Sequence, residues 1–414
     1  MKKLFSMLLC AALIAMLCTA AFAEPVDVNM WHYFDDTSEA ALVKLVEDYN
    51  ASQDAIKVNL TYCSRQELYN QLSMGALSPD NLPEISMIDN PDVAAFISMG
   101  ILQDITAAAA EWGEVDKFYQ GPLGACYDGD TLYGLTNNTN CLTLVANMDM
   151  IKEAGYDAIP DTWDEFSKLV EACTKPDDGV YGFAMCARSD EEGTFQIIPW
   201  IVAGGANYDS MNSEGAIAAL NLINTFAKNG WMSQECLNWT QGDAFNSFCA
   251  GKAATCMIGT WHLSQIDTMI ADAGSNVNYQ LFKIPGLQSG MSGSCVGGEC
   301  YAVTTAAAAK GVEKEVEDFL FYLMEPDHAA YFCQESGKFP PRGDSLDLIE
   351  MFTTDPAYLV MNDEMAFAVA RGPVAEWAKI SEALYTASQS MVLDTATPED
   401  AAATAAAAIA EVLG

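Results

Sequence analysis

Polar side chains follow the first three predicted strands, and they are the first candidates for binding chemistry. The pairs are Phe34-Asp35 after strand 26–33, Ser64-Arg65 after strand 56–62, and Asp89-Asn90 at the end of strand 85–89. Helical patterns at 39–49 and 67–74 separate the strands, which predicts a βαβαβ unit with a parallel sheet. Ligands of such sheets bind beyond the carboxyl ends of the strands. Helix capping is an equally good reason for Asp36, Ser64 and Asn90, so both interpretations stay open.

A second group of candidates has side chains suited to neutral, hydroxyl-rich ligands. Asn138 and Asn140 lie in an uncharged polar patch before the apolar run 142–146. Trp261 follows the predicted strand 253–258, and a flat ring with one N–H suits the C–H face of a sugar. Core packing is the alternative for Trp261. Gly297 and Gly298 would let backbone N–H groups approach a ligand, or would simply make a flexible surface loop.

Arg371 is the most conspicuous candidate cation, since Lys and Arg total only 19 in this chain. A guanidinium fork suits carboxylates, phosphates or sugar hydroxyls. The alternative is a surface arginine paired with Glu376 or Asp363.

Motifs for catalysis or metal binding are not evident. The sequence has no Gly-x-Ser-x-Gly, His-Glu-x-x-His or Walker motif, and its histidines are scattered at positions 32, 262 and 328. We therefore predict no catalytic residues, no metal ligands, no cofactor and no enzymatic activity. An exported glycoside hydrolase remains an alternative, because 57 acidic residues guarantee carboxylate pairs by chance.

The N-terminus and the charge balance indicate an exported protein. Residues 1–23 combine Lys2-Lys3, an apolar run and an Ala-Phe-Ala end, which is typical of a secretory signal peptide. The residues before Cys18 fit a lipoprotein signal poorly, so we expect a soluble periplasmic or cell-surface protein, with lipid anchoring as the alternative. Loss of the signal changes the net charge from −38 to −40, which argues against nucleic acid as a partner. Eleven irregularly spaced cysteines would remain, and we expect mostly reduced thiols.

The stretch 132–166 carries a resemblance to a known family. It reads as strand, Asn, short helix, Ala-Gly, Pro and then Thr-Trp-Asp-Glu, where Thr162 and Glu165 could form a capping box. This order resembles family 1 extracellular solute-binding proteins of ABC importers, notably the maltodextrin- and glycerol-3-phosphate-binding proteins. The run from Ala244-Phe245 to Gly259-Thr260-Trp261 matches the same family.

The resemblance implies an α/β, two-lobed periplasmic-binding-protein fold of type II, each lobe a mostly parallel sheet flanked by helices, with three hinge crossings. It implies an N-terminal lobe of residues 24–135 plus 290–335 and a C-terminal lobe of residues 136–289 plus 336–414. It adds Trp163, Trp200 and Arg188 to the candidate ligand contacts, and a tryptophan buried in the core is an equally good interpretation of Trp200. Lys338 stands where glycerol-phosphate binders often have tyrosine.

The function implied is capture of a carbohydrate between the lobes and its delivery to ABC permease subunits, by a protein that is a monomer. The alternative ligand is glycerol 3-phosphate or another polyol phosphate.

Overall fold

The computed structural model describes residues 24–414, and the predicted signal peptide lies outside this range. Two sheets organise the chain. The N-terminal lobe has a five-stranded sheet in the order β2-β1-β3-β12-β6, and the C-terminal lobe has a four-stranded sheet in the order β10-β7-β9-β8. Their strands are β1 Val26–His32, β2 Ile56–Tyr62, β3 Ile85–Asp89, β6 Gly134–Thr136, β7 Leu142–Asn147, β8 Tyr181–Ala184, β9 Ala253–Gly259, β10 Tyr279–Phe282 and β12 Glu299–Val303.

The first βαβαβ unit forms as predicted. Strand β1 lies between β2 and β3 and is parallel to both. Helices Asp36–Ser52 and Arg65–Gly75 connect these strands, and the Ser64 hydroxyl accepts a hydrogen bond from the Glu67 backbone N–H at 3.3 Å. The three carboxyl ends therefore meet at one edge of the sheet.

The expectation of mostly parallel sheets is wrong, because both sheets are mixed. Strand β12 is antiparallel to β3 and β6, and β7 is antiparallel to β9 and β10. Strands β7 and β12 each enter their sheet directly from the other lobe instead of through a helical crossover. They therefore start at the edge where their neighbours end, and they run the opposite way.

Three crossings join the lobes, as expected. The backbones of Asn140 and Gly297 exchange hydrogen bonds at 2.8 and 3.2 Å, and those of Thr139 and Phe339 do so at 2.8 and 2.9 Å. Segment 137–141 therefore lies between segments 296–298 and 337–341. The three crossings are therefore joined to one another by backbone hydrogen bonds.

Two stretches lie on the other side of the predicted lobe boundaries. Residues 290–295 were expected in the N-terminal lobe. In the structure β11 (Ser294–Cys295) pairs with β13 (Ala368–Val369), and the Ser294 hydroxyl bonds to the backbone of Leu142 in the C-terminal sheet. Conversely, Arg342 was expected in the C-terminal lobe. Its buried guanidinium donates to the Met324 carbonyl at 2.6 Å and to Glu114 at 2.8 Å, which fixes it to the N-terminal lobe.

Helices cover both sheets, and only some of the predicted caps form. Ser64 caps its helix, whereas Asp36 lies within the helix Asp36–Ser52 and the Asn90 side chain donates to the Val296 carbonyl. Thr397 caps the alanine-rich C-terminal helix, as predicted, but the Thr162 side chain makes no cap bond. The remaining helices are Val93–Ser98, Thr106–Trp112, Gln120–Leu123, Met148–Glu153, Trp163–Cys173, Glu191–Ala203, Glu214–Lys228, Gln241–Cys249, Ile266–Asp272, Thr305–Lys310, Glu313–Met324, Pro326–Ser336, Gly343–Leu346, Met351–Thr354, Pro356–Met365, Trp377–Val392 and Pro398–Leu413. A further short hairpin pairs β4 (Tyr127–Asp128) with β5 (Thr131–Leu132).

The eleven cysteines within residues 24–414 are all buried, and none of them lies in a disulfide bond in this structure. None of the helices in the described part of the chain combines the length and apolarity that crossing a bilayer needs. Residues 24–414 also contain no group of three or more His, Cys, Asp or Glu arranged to hold a metal ion.

Candidate ligand site at the lobe junction

The N-terminal lobe contributes the carboxyl edge of β1, β2 and β3, as the sequence predicted. Arg65, which follows β2, donates from Nε to the Asp89 carboxylate at the end of β3 at 3.1 Å. Its Nη2 lies 2.5 Å from Asp92, one turn further along the chain. Phe34 is buried against Phe332, and Asp35 beside it is exposed. The structure thus brings five of the six strand-end candidates to one edge, and the sixth, Ser64, caps a helix there.

Arg371 of the C-terminal lobe completes this edge from the opposite side. Its Nη2 donates to Asp89 Oδ1 at 2.8 Å and to Asn90 Oδ1 at 3.0 Å, and its Nη1 donates to Glu191 at 2.7 Å. The pairing with Glu376 or Asp363 considered from the sequence does not occur. Arg371 instead joins the two lobes, and its side chain is 3% exposed.

Glu191 holds Arg371 in place from within the C-terminal lobe. It is the first residue of helix Glu191–Ala203, where the helix dipole favours a negative charge. Its carboxylate accepts from the Trp377 indole N–H at 3.0 Å and from the Ser381 hydroxyl at 2.5 Å. A chain of alternating charge results, in the order Glu191, Arg371, Asp89, Arg65 and Asp92.

The two aspartates in this chain of charges have pKa values shifted in opposite directions. Burial alone would raise the pKa of Asp89, but Arg371 and Arg65 together hold that pKa below its usual value. Burial raises the pKa of Asp92 to about 7 against the opposing effect of Arg65, because Asp89 and Glu191 add like charge. Arg371 stays protonated, since Asp89 and Glu191 more than offset the desolvation that would lower its pKa.

The aromatic part of the junction is built around Trp261, which is partly buried. Strand β9 ends at Gly259, and a Cβ there would lie about 2.0 Å from the Trp261 ring. The glycine therefore lets the indole fold back over the strand end. Phe195 lies 6.4 Å from Trp261 between ring centroids, and the Phe195 ring also stacks on the Arg371 guanidinium at 4.4 Å. Ser264, whose hydroxyl bonds to the Trp261 carbonyl, approaches Thr37 of the opposite lobe at 3.3 Å.

The crossings contribute a third cluster. Asn138 from the first crossing donates to Glu299 at 2.5 Å, and Lys338 from the third crossing lies 3.3 Å from the same carboxylate. The Lys338 ammonium also lies 4.1 Å from the centre of the Phe34 ring. The first crossing, the third crossing and the start of β12 thus each place one residue in a single hydrogen-bonded cluster.

Unpartnered polar groups gather at this same junction. Six buried side-chain atoms within residues 24–414 have no hydrogen-bond partner, and four of them belong to Asn137, Asn140, Thr260 and Ser336. A Cβ on Gly337, which follows Ser336, would lie 2.9 Å from the Thr260 carbonyl, and a Cβ on Gly297 would contact both Asn140 and Phe195. Since buried polar groups nearly always have partners, this concentration makes the junction the candidate site for a polar ligand.

Two predicted tryptophan contacts lie in the core instead. Trp200 has no exposed surface, packs on Phe183, and donates its indole N–H to the Met257 sulfur. Trp163 donates to the Pro285 carbonyl at 2.8 Å and is 4% exposed. Both residues lie on the apolar face of a helix that packs against the C-terminal sheet, so we leave them out of the site.

Gly297 and Gly298 serve the packing of the crossings. A Cβ on Gly297 would lie 2.1 Å from Asn140 Oδ1, and Gly298 has a φ of 131° that other residues rarely adopt. The Gly297 N–H already donates to the Asn140 carbonyl. Sequence reasoning missed Glu191, Asp92, Glu299 and Phe195, and only the position of Glu191 at a helix start could have signalled its role.

The comparisons with known proteins agree with this architecture. A family model described as bacterial extracellular solute-binding protein matches residues 44–360. The chain belongs to this family. Its members bind solutes and are not enzymes, so the expectation of a non-enzymatic binding protein is confirmed.

Among curated relatives, the chain is similar to a multiple sugar-binding protein of Streptococcus mutans serotype c, with 25% identity over 312 residues that span 70% of each chain. It is also 25% identical to an arabinooligosaccharide-binding protein of Bacillus subtilis over 156 residues, or 36% of this chain and 35% of the relative.

Solved structures share the fold over nearly the whole chain. A solute-binding protein from Thermotoga lettingae bound with alpha-D-tagatose superposes with a TM-score of 0.81 and 21% identity, covering 94% of this chain and 100% of that one. Maltose-bound MalE3 of T. maritima gives a TM-score of 0.82 and 18% identity, covering 93% and 99%. The predicted two-lobed periplasmic-binding-protein fold is therefore confirmed.

Proposed function

We propose that this protein captures a sugar or oligosaccharide at the lobe junction for an ABC importer. The observation that carries the proposal is the combination of Trp261 with the unpartnered groups of Asn137, Asn140, Thr260 and Ser336 in one region. Hydroxyl groups satisfy amide and hydroxyl partners, and an indole face suits the C–H surface of a pyranose.

The roles divide between the two lobes. Trp261 of the C-terminal lobe stacks on the sugar, and the exposed Asp35 at the N-terminal edge accepts hydrogen bonds from its hydroxyls. Arg65 and Asp89 keep the ion pairs described above and hold this edge in place. The amides of Asn138 and Asn140 face the same junction from the first crossing. Asn90 and Arg371 hold the lobes in register beneath the ligand, and Phe34 packs under Asp35.

Relatives support the choice of a carbohydrate. Two curated relatives are named for sugars or oligosaccharides, and structures of the same fold are described with tagatose or maltose bound. Membership of an extracellular solute-binding family, together with the signal-like residues 1–23, supports export to the cell surface or periplasm and a membrane permease as the receiving partner.

A thermal-shift screen of the purified protein tests the proposal. The panel contains neutral mono- and oligosaccharides, including tagatose, maltose, mannobiose and arabinooligosaccharides, with amino acids as a negative set. A ligand at 100 times its Kd stabilises the folded state by about 2.7 kcal/mol. We expect at least one sugar to raise the melting temperature and no amino acid to do so. A response to amino acids alone would overturn the proposal.

A further inference from the structure

Within residues 24–414, four cations lie at or beside the lobe junction, and each is paired with a carboxylate. Arg65 and Arg371 share Asp89, while Lys338 pairs with Glu299. Arg188, beside the start of helix Glu191–Ala203, lies 2.9 Å from Asp190 and 3.8 Å from Glu192. These four cations are therefore neutralised by the protein itself.

Arg371 shows how complete this pairing is. All three guanidinium nitrogens lie within hydrogen-bond distance of acceptors, the weakest contact being Nε to the Val296 carbonyl at 3.5 Å. The ring of Phe195 covers one face of the group at 4.4 Å. An incoming phosphate or carboxylate would have to displace Asp89 or Glu191 before it could form the bidentate pair that makes arginine a good anion ligand.

The overall balance at the junction is negative. Four cations are accompanied by seven carboxyl groups, namely Asp35, Asp89, Asp92, Asp190, Glu191, Glu192 and Glu299. An anionic solute entering this region is repelled, and the repulsion grows as water leaves the closing cleft. The polar groups without partners are, in contrast, all uncharged: Asn137, Asn140, Thr260 and Ser336.

We propose that Arg371 and its carboxylates Asp89 and Glu191 act as a specificity determinant that restricts the site to uncharged solutes and excludes those carrying phosphate or carboxylate. The inference rests on the proposed sugar-binding function and refines it. Arg371 acts as an interlobe connection whose positive charge is already used, and it does not serve as the anion receptor that the sequence suggested.

Matched ligand pairs test the inference by calorimetry. Each neutral sugar that binds in the screen is compared with its uronic acid, in which one hydroxymethyl group becomes a carboxylate, and with its 6-phosphate; glycerol 3-phosphate is added as a small anion. We expect the anionic partners to bind wild-type protein at least about a hundredfold more weakly than the neutral sugar. Equal or tighter binding of an anion would overturn the inference and leave sugar binding intact.

Asp89→Asn then locates the determinant. This variant keeps the side-chain shape but removes the negative charge that pairs with the Arg371 guanidinium. The ratio of the Kd of the anionic ligand to the Kd of the neutral sugar (the affinity gap) should therefore fall at least about tenfold. Glu191→Gln should narrow it in the same direction, which keeps the test decisive if one variant does not fold. Asp209→Asn is the matched control, because Asp209 is an exposed carboxylate in the same lobe as Glu191. It should leave the affinity gap unchanged.

The remaining outcomes are equally informative. An unchanged gap in both folded variants would show that Arg371 and its carboxylates are not the determinant, and would overturn the assignment. A protein that binds no neutral sugar overturns the proposed function and this inference together. Failure of the inference is thus distinguishable from failure of the function.

Discussion

The two sides of the lobe junction differ in charge and in hydrogen-bond satisfaction. Around Arg371 the charges form a closed chain from Glu191 to Asp92, and the side chains carrying them are mostly buried. Around Trp261 the side chains are neutral, and the hydroxyl of the adjacent Thr260 has no partner within residues 24–414. The difference teaches that satisfied charges join the lobes on one side of the junction, while neutral groups without partners within residues 24–414 lie on the other.

Of the substitutions considered, Arg371→Met should lower the free energy of unfolding most, because it removes the central cation of the charged side of the junction. Removing one partner of a buried ion pair leaves uncompensated carboxylates, which typically costs about 3–5 kcal/mol. We expect a clear shift of the urea unfolding midpoint to lower concentration, measured without ligand. Lys168→Met, at an exposed ion pair with Glu165, is the control and should shift the midpoint little. A wild-type midpoint for Arg371→Met would mean that the chain of charges contributes nothing to the fold.

Glu364 should have a smaller effect on the free energy of unfolding than Arg371. It contrasts with the carboxylates around Arg371, because it is a buried carboxyl without a counter-charge in hydrogen-bond contact. Its Oε1 lies 2.8 Å from the Ser292 hydroxyl, which also lies 2.6 Å from the Ile284 carbonyl. A hydroxyl has one proton to donate, and the carbonyl can only accept it. The Ser292 hydroxyl therefore cannot donate fully to both acceptors, and burial raises the pKa of Glu364 to about 8.

The sign of the pH dependence follows from that raised pKa. Between about pH 4.5, the ordinary pKa, and about pH 8, the folded state binds a proton that the unfolded state has lost. Stability from Glu364 is thus fully present below that window and declines as pH rises through it, by at most about 1.4 kcal/mol per pH unit. Glu364→Gln should flatten the wild-type profile between pH 5 and 8, measured by urea unfolding. Glu214→Gln, at an exposed residue, is the control, and identical profiles for wild type and Glu364→Gln would refute the proton on Glu364.

Local signals predicted much of the fold and one half of the site. The alternation of apolar residues and the turn signals located β2 and β3 with the bounds the structure has. Parallel strand order was enough to bring Asp35, Arg65 and Asp89 to one edge. Trp261 could be found because a glycine directly precedes Thr260-Trp261 at a strand end.

The other half of the site depends on contacts that no local pattern encodes. Arg371 and Asp89 are 282 positions apart, and Arg371 and Glu191 are 180 apart. The sequence shows that an arginine is rare here, but the partners that neutralise it are set by how the lobes fold together. The choice between a ligand contact and a core position for Trp200 could not be made for a related reason. A tryptophan inside an apolar helix looks the same in the sequence whether it faces a cleft or the core.

The central claim is that the neutral, aromatic side of the junction holds the sugar, and calorimetric titration of Trp261→Ala tests it most directly. The titrant is the sugar that most stabilises wild-type protein in the screen, and Trp231→Ala, at a partly buried tryptophan of the same lobe that packs on Phe226, is the matched control. Losing the burial of a large aromatic face should cost about 2–3 kcal/mol, or roughly a 30- to 160-fold rise in Kd. We predict that rise for Trp261→Ala with wild-type affinity for Trp231→Ala. A folded Trp261→Ala protein that binds the sugar within about twofold of wild type would contradict the account.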